Sequence, residues 1–559
     1  MDKGPRLTAP AVAVPARCVR DLAAALPAAA VAVFMTLFFV WPIAGVIARG
    51  LGSAGLARLG DVLGSPAHRS VIWFTLWQAG ASTLLTVAAA LPAAGAMARL
   101  RFGGQRVVRA LATVPFVLPT VVVAAAFEGL FDRFGLAGGG AVSLRQTVWA
   151  ILLAHVFFNY AVVLRTVGAH WANLDARVED QARVLGASRW QVFARIVLPR
   201  LAPSVAAASA IVFLFSFTSF GVVLILGGPT RATVETEIYR YAIVRLDLET
   251  AAALAVVQLV AVVALVAVSN ALERRRAAIE PSSPPASAPR RRGPGLVANL
   301  AAMGLILGLP IAVLVERSVS AGRSGGYTLD NFAALAARVN LLPDTALASL
   351  ANSLMFAAPA AALALLVGGS ATLVVIRSGG RARHGLGRVF DLGLTLPLGT
   401  SAVTIGLGFL LVLDRPPIDL RTSLLVVPIA HAVVGVPFVV RTLVPMLRAV
   451  NPRTREAAAV LGASPRRVRH EVDLRVAARG VAVGAGFAFA VSLGEFGATS
   501  FIPRRAETLT APLALFRLLG TPGEALRGQA MALAVALMAL TAVAVFVMDL
   551  WGDNRRGAF

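Results

Sequence analysis

Long apolar stretches separated by short polar connections run the length of this 559-residue chain. A helix that crosses a bilayer needs about 20 mainly apolar residues at a rise of about 1.5 Å each. Twelve stretches are long enough. In the first half they lie at 22–47, 71–98, 107–130, 147–166, 201–228 and 250–271. In the second they lie at 296–315, 349–376, 389–413, 423–445, 477–501 and 528–550. The first is too long for the apolar core of a secretory signal and is read as a span. The fold class expected is an all-α polytopic membrane protein of about 12 transmembrane helices.

The polar connections alternate in charge. Arg99, Arg101, Arg106 and Arg109 follow the second stretch, and Arg177, Arg183, Arg189, Arg195 and Arg200 the fourth. Arg377, Arg381, Arg383 and Arg388 follow the eighth, and Arg448, Arg453, Arg455, Arg466, Arg467 and Arg469 the tenth. The connections between them mix in acids, as in Glu235–Glu249 and Asp414–Arg421. Basic loops stay in the cytoplasm, so both termini are expected there.

Composition agrees with the pattern: 58% of residues are hydrophobic and only 14% charged, against about 25% charged in soluble domains. The net charge of +24 sits in short loops and not on one soluble face, so nucleic acid is not an expected partner. Lys3 is the only lysine. A P-loop needs a lysine after its glycine-rich turn, so the chain holds no such ATP site and no Schiff-base lysine. Cys18 stands alone, which excludes an intrachain disulfide. His68, His155, His170, His384, His431 and His470 show no metal-binding spacing. No catalytic residue, metal site or bound cofactor is expected.

The chain is a tandem repeat. His155, Arg165, Thr166, Arg177 and Ala182 recur 276 positions later as His431, Arg441, Thr442, Arg453 and Ala458. Val184-Leu185-Gly186-Ala187-Ser188 returns unchanged as Val460-Leu461-Gly462-Ala463-Ser464, and Ser216, Phe220 and Gly221 match Ser492, Phe496 and Gly497. A Pro-, Ser- and Arg-rich stretch, 273–295, cannot bury a core and reads as a flexible cytoplasmic linker. It divides the chain into a first membrane half, 1–272, and a second, 296–559. An even number of spans gives both halves the same orientation, and parallel repeats commonly place a translocation path at their interface.

The long basic loop after the fourth span of each half carries a motif. The first copy has Asp180-Gln181-Ala182, Gly186, Ile196, Leu198 and Pro199; the second has Glu456-Ala457-Ala458, Gly462, Val472 and Leu474. Each is expected to form a short helix, a glycine-marked turn and a second helix. The acid is placed in the first helical turn, where the dipole favours it, and the glycine where φ is positive. This arrangement resembles the EAA loop of bacterial ABC importer permeases, Glu-Ala-Ala followed by Gly and then Ile-x-Leu-Pro. Asp180, Gln181 and Arg475 depart from that pattern.

The resemblance covers almost the whole chain and implies the fused permease form found in thiamine and ferric-iron importers. The segment from Phe215-Ser216-Phe217 through Gly227-Gly228-Pro229 to Glu237-Ile238-Tyr239 and Gln258, with Ser492 to Gly497, is more similar to the thiamine group. It implies that Asp180, Ala182, Gly186, Glu456, Ala457, Ala458 and Gly462 belong to coupling loops docking on an ATPase dimer. ATP and Mg would be used by that partner. It also implies an extracytoplasmic solute-binding protein, alternating access, and a place in the bacterial inner membrane. An ion-coupled secondary transporter is the alternative from another class, but mid-span carboxylates are almost absent.

The fifth and eleventh spans follow the docking loops directly and are expected to border the path. Ser216, Phe220, Ser492, Glu495 and Phe496 are the candidates there. A charge at membrane depth costs roughly 2.5 kcal/mol or more unless it faces water or a partner. Glu495 is therefore either a site for a cationic solute such as thiamine or an interfacial group paired with Arg504 or Arg505. Phe220 and Phe496 would close the path as a hydrophobic constriction, or pack as core. Paired interhelical hydrogen bonds are the expectation for His155 and His431. Glu128 and Asp132 are expected to be interfacial anchors.

Overall fold

The computed structural model describes residues 27–53, 55–137, 143–279, 293–322, 325–377, 400–415, 418–420, 423–448, 452–468, 471, 474–502 and 505–553. Among them, ten helices are long and apolar enough to cross a membrane, and a bent pair makes eleven. In order they are Pro27–Leu51, Pro66–Arg99, the bent third, Val148–Asn173, Arg189–Phe217, Leu248–Leu272, Pro294–Ser318, Ala346–Val375, Val426–Arg448, Gly480–Phe501 and Glu524–Met548. The ninth expected span is represented by Ala402–Val412; 389–399 lies outside the described residues. The only strand pairing among them is a two-residue ladder of Asp414–Arg415 with Ile418–Asp419.

Proline explains the breaks. The third span consists of Val107–Val117 and Thr120–Arg133, set at 103° to each other. Pro119 caps the second piece, and Leu118 before it is extended at ψ 141, as a residue preceding proline prefers. A π-helical turn precedes Pro42 (Thr36–Val40), Pro199 (Phe193–Val197) and Pro310 (Gly304–Gly308). Each proline withholds an N–H and its ring crowds the carbonyl one turn back. The widened turn accommodates both without ending the helix. The helix of the sixth span continues to Ile279, into the stretch expected as linker; residues 280–292 lie outside the described ones.

The two halves interlock. In the first, the second, fourth and fifth spans pack on one another, and the eighth, tenth and eleventh do so in the second. The first span packs instead on the sixth and on Ala402–Val412, while the seventh packs on Thr120–Arg133 and the twelfth. Val31, Phe34, Met35 and Phe39 thus bury among second-half residues such as Val427 and Val433. Met303 and Leu307 bury among first-half residues such as Phe127 and Phe157. Small residues permit this closeness: a Cβ on Gly408 would lie 2.8–3.0 Å from Pro42, and one on Gly50 2.7 Å from the Ala252 carbonyl oxygen. A third core cluster, including Phe220, Leu254, Leu407 and Phe496, straddles both halves.

Candidate functional site

Between the halves lies a cavity of about 650 Å³, within the range of small-molecule sites. The fifth span contributes Phe215, Thr218 and Phe220 to its wall, and the eleventh Gly494, Glu495 and Phe496. The exposed Arg165 and Arg441, related by the repeat, also line it. They sit ten residues, or about 15 Å, further toward the loop face than His155 and His431. The cavity therefore opens on the face that carries the two basic loops.

Its far end is closed by aromatic rings. Phe220 and Phe496 stack across the two halves with centroids 5.2 Å apart and planes 22° apart. Tyr239 meets Phe220 at 5.5 Å, and Phe516 meets Phe496 at 5.3 Å. Tyr239 and Phe516 come from short helices, Val234–Tyr239 and Ala511–Gly520. The two helices occupy equivalent places in the repeats, and the four rings form a continuous row.

Two carboxylates line the same cavity. Glu495 is 5% exposed. It accepts hydrogen bonds from the Ala498 and Thr499 amides at 2.8 and 3.0 Å and from the Thr499 hydroxyl. His431 Nδ1 meets the Ser492 hydroxyl at 2.7 Å, and Nε2 meets Thr499 Oγ1 at 2.9 Å. One proton arrangement satisfies all of these: Ser492 donates to His431, His431 to Thr499, and Thr499 to Glu495. Glu235 is fully buried. Ser401 Oγ donates to one of its oxygens at 2.7 Å and Gln258 Nε2 to the other at 2.9 Å.

The two basic loops share one geometry. Ala176–Val184 and Pro452–Val460 are the first short helices, Arg189–Val192 and Pro465–Val468 the second. Gly186 and Gly462 turn at φ 87° and 80°. Ala187 N–H donates to the Ala182 carbonyl and Ala463 N–H to the Ala458 carbonyl, both at 3.0 Å, the Schellman closure of a helix end. Ser188 and Ser464 then cap the next helix, their hydroxyls accepting from the Gln191 and Arg467 amides at 3.3 Å. The identical Val-Leu-Gly-Ala-Ser runs thus encode one stop, one turn and one start. Their leading aliphatics are displayed: Val184, Leu185 and Leu461 are 87% exposed and Val460 86%.

The binding-protein-dependent transport system inner membrane component family matches this chain twice, over residues 86–278 and 360–554. The chain belongs to that family. It is a transmembrane ABC importer permease in the fused, two-half form. It is 28% identical to the thiamine transport system permease protein ThiP of Brucella abortus (strain 2308) over 502 residues, 87% of this chain and 88% of that one. It is 27% identical to ThiP of Escherichia coli (strain K12), over 81% of this chain and 83% of that one. The sulfate transport system permease protein CysT of E. coli K12 is 30% identical over 250 residues, 43% of this chain and 89% of that one.

The permease fold places the sequence candidates unevenly. Phe220, Glu495 and Phe496 meet at the cavity. Ser216 and Ser492 are buried but serve helix packing: Ser216 accepts from Gln78 and Asn159, and Ser492 holds His431. Asp180 and Glu456 do not lie in the first turn where they were expected; each is the fifth residue of its helix. The helices begin earlier because Asp175 caps the first one, accepting from the Arg177 amide at 2.9 Å. Glu179 takes the first turn and pairs with Arg99 of the second span. Ala182, Gly186, Ala457, Ala458 and Gly462 lie in or beside the turns.

No arginine pairs with Glu495 among the described residues, and Arg504 lies outside them. His155 and His431 both bond to neighbouring helices, His155 Nδ1 to Ser82 at 2.9 Å. Glu128 and Asp132 both bind Arg145. Glu235 was expected among the acids of a polar connection and is instead buried in the cavity wall. The available signal was Gln258, a lone amide in an apolar span, which bonds it.

Proposed function

We propose that this permease carries thiamine inward by alternating access, energised by a separate ATPase dimer and supplied by an extracytoplasmic binding protein. The observation that carries the reading is the cavity between the halves, closed by the Phe220–Phe496 stack and walled by two buried carboxylates, Glu235 and Glu495. Their acceptor oxygens suit a cationic solute that carries hydrogen-bond donors, and two similar permeases named for thiamine match over 81–88% of each chain. Carboxyl oxygens are poor partners for sulfate, the solute named for the relative that matches 43% of the chain.

In this reading the loop face is cytoplasmic, both termini lie there, and the structure is inward-facing. The arginines at the mouth are solvated, and charges more than about 8–10 Å apart in water are largely screened. The exposed Val-Leu pairs of the two loops are the contacts offered to the ATPase subunits, which bind and hydrolyse ATP with Mg. Closure of that dimer would push the loops together, part the ring row and open the cavity outward.

The test is uptake of labelled thiamine in host cells with and without the gene, with labelled ferric iron in parallel. Loss of thiamine uptake alone, restored by the intact gene, is the expected result. Loss of iron uptake alone would overturn the substrate and keep the importer.

A further inference from the structure

The two halves of the cavity wall differ in their unsatisfied polar atoms, and the difference has a chemical direction. In the second half, both ring nitrogens of His431 are bonded. In the first half, His155 Nδ1 meets Ser82, but Nε2 has no partner. Asn159, one turn along the same helix face, donates weakly to Ser216 at 3.4 Å and leaves Oδ1 without a partner. The position matching Asn159 in the second half is Gly435. His155 and Asn159 are 2% and 1% exposed, and both line the cavity. Leaving a buried polar atom unpaired is costly, so two neighbouring ones on one wall call for a partner.

The roles of the two atoms follow from their neighbours. When Ser82 donates to Nδ1, as Ser492 does to His431, the neutral ring carries its proton on Nε2. Nε2–H is then a free donor beside the free acceptor Asn159 Oδ1. Phe116, Phe158 and Phe215 line the same cavity, with Phe116 at 5.7 and 5.8 Å from the other two, a surface for flat rings and cations. Glu235 receives one donor per oxygen, and a carboxylate has about four lone-pair sites, so it retains acceptor capacity.

We propose that His155 and Asn159, with Glu235 and the Phe116 cluster, form an asymmetric subsite for a flat heteroaromatic cation that presents an amino donor beside a ring-nitrogen acceptor. The inference rests on the thiamine reading and deepens it. The aminopyrimidine edge of thiamine supplies that donor and acceptor, and its thiazolium ring supplies the charge. Neither orphan atom meets solvent in this conformation, so the edge engages as the walls move around the ligand. Glu235 offers its remaining acceptor capacity to the ligand, and the first-half helix reads the ring edge.

The experiment measures binding of labelled thiamine and of oxythiamine, in which an oxo group replaces the amino group, to the purified full-length permease without its binding protein. Wild type is expected to prefer thiamine by more than tenfold, because the oxo form turns the amino donor into an acceptor and the ring-nitrogen acceptor into an N–H donor, and a single lost pair at about 1.4 kcal/mol is already tenfold. Asn159→Leu should lower the ratio by about tenfold while oxythiamine binding is retained. Glu235→Gln should weaken both ligands alike and keep the ratio. Retained oxythiamine binding shows that Asn159→Leu is folded, and Glu235→Gln tests the carboxyl group separately. An undiminished preference in Asn159→Leu would overturn the subsite even if cells import thiamine. Absence of thiamine uptake by cells carrying the wild-type gene would instead defeat the thiamine reading itself.

Discussion

Truncating the exposed leucines of the two loops, Leu185→Ala with Leu461→Ala, tests the docking assignment quantitatively. Each is 87% exposed, so nearly the whole side chain is available for burial by a partner. The substitution deletes three carbons at each site. At about 0.8 kcal/mol per buried CH₂, a fully buried leucine loses about 2.4 kcal/mol of docking free energy, roughly 50-fold in affinity at 1.4 kcal/mol per decade. The pair loses about 5 kcal/mol, or more than three decades. The assay is equilibrium binding of the ATPase subunit to the permease in detergent, alongside thermal unfolding of the permease alone. Exposed side chains contribute within about 0.5 kcal/mol to the fold, so the melting temperature should hold while binding collapses. Wild-type affinity in the double variant, or a fall in melting temperature with affinity unchanged, would refute the reasoning.

Four further outcomes follow from the geometry. Gly50→Val drives a Cβ to within 2.7 Å of the Ala252 carbonyl oxygen and should lower stability by about 1–3 kcal/mol, read as a fall in melting temperature. Gly186→Ala meets nothing within 4 Å but is held at φ +87°; it should strain the loop by about 1–2 kcal/mol, weakening ATPase binding and leaving the core melt unchanged. Phe220→Ala with Phe496→Ala removes the central stacked pair and should let thiamine leak down its gradient without ATP, measured as efflux from loaded proteoliposomes. Thr499→Val withdraws the hydroxyl shared by His431 and Glu495 and should cost about 1–3 kcal/mol, seen in chemical unfolding.

Much of this was legible in the chain, because burial in lipid demands helices and helices that cross need uninterrupted apolar length. The repeat register also located the paired phenylalanines, since residues related by a parallel repeat face one another across its axis. The bend in the third span was not expected, since 107–130 read as one apolar run; Pro119 and the extended Leu118 before it account for it. Other features were not local. The exchange of the first and seventh spans between halves depends on which apolar faces meet, and all of those faces read alike as Val, Leu and Ala. Glu235 lies in a short helix outside any span-length run, and its burial becomes visible only when Ser401 arrives from the other half. The unmatched edges of His155 and Asn159 emerge only by comparing each repeat's bonds, residue against residue.

The most direct test of the central claim is thiamine uptake by proteoliposomes holding this chain and its ATPase subunit, with the binding protein outside and ATP inside. The account predicts thiamine accumulation that requires hydrolysable ATP, requires the binding protein, and disappears in Leu185→Ala with Leu461→Ala. Accumulation that proceeds without ATP and collapses when an ion gradient is dissipated would contradict it.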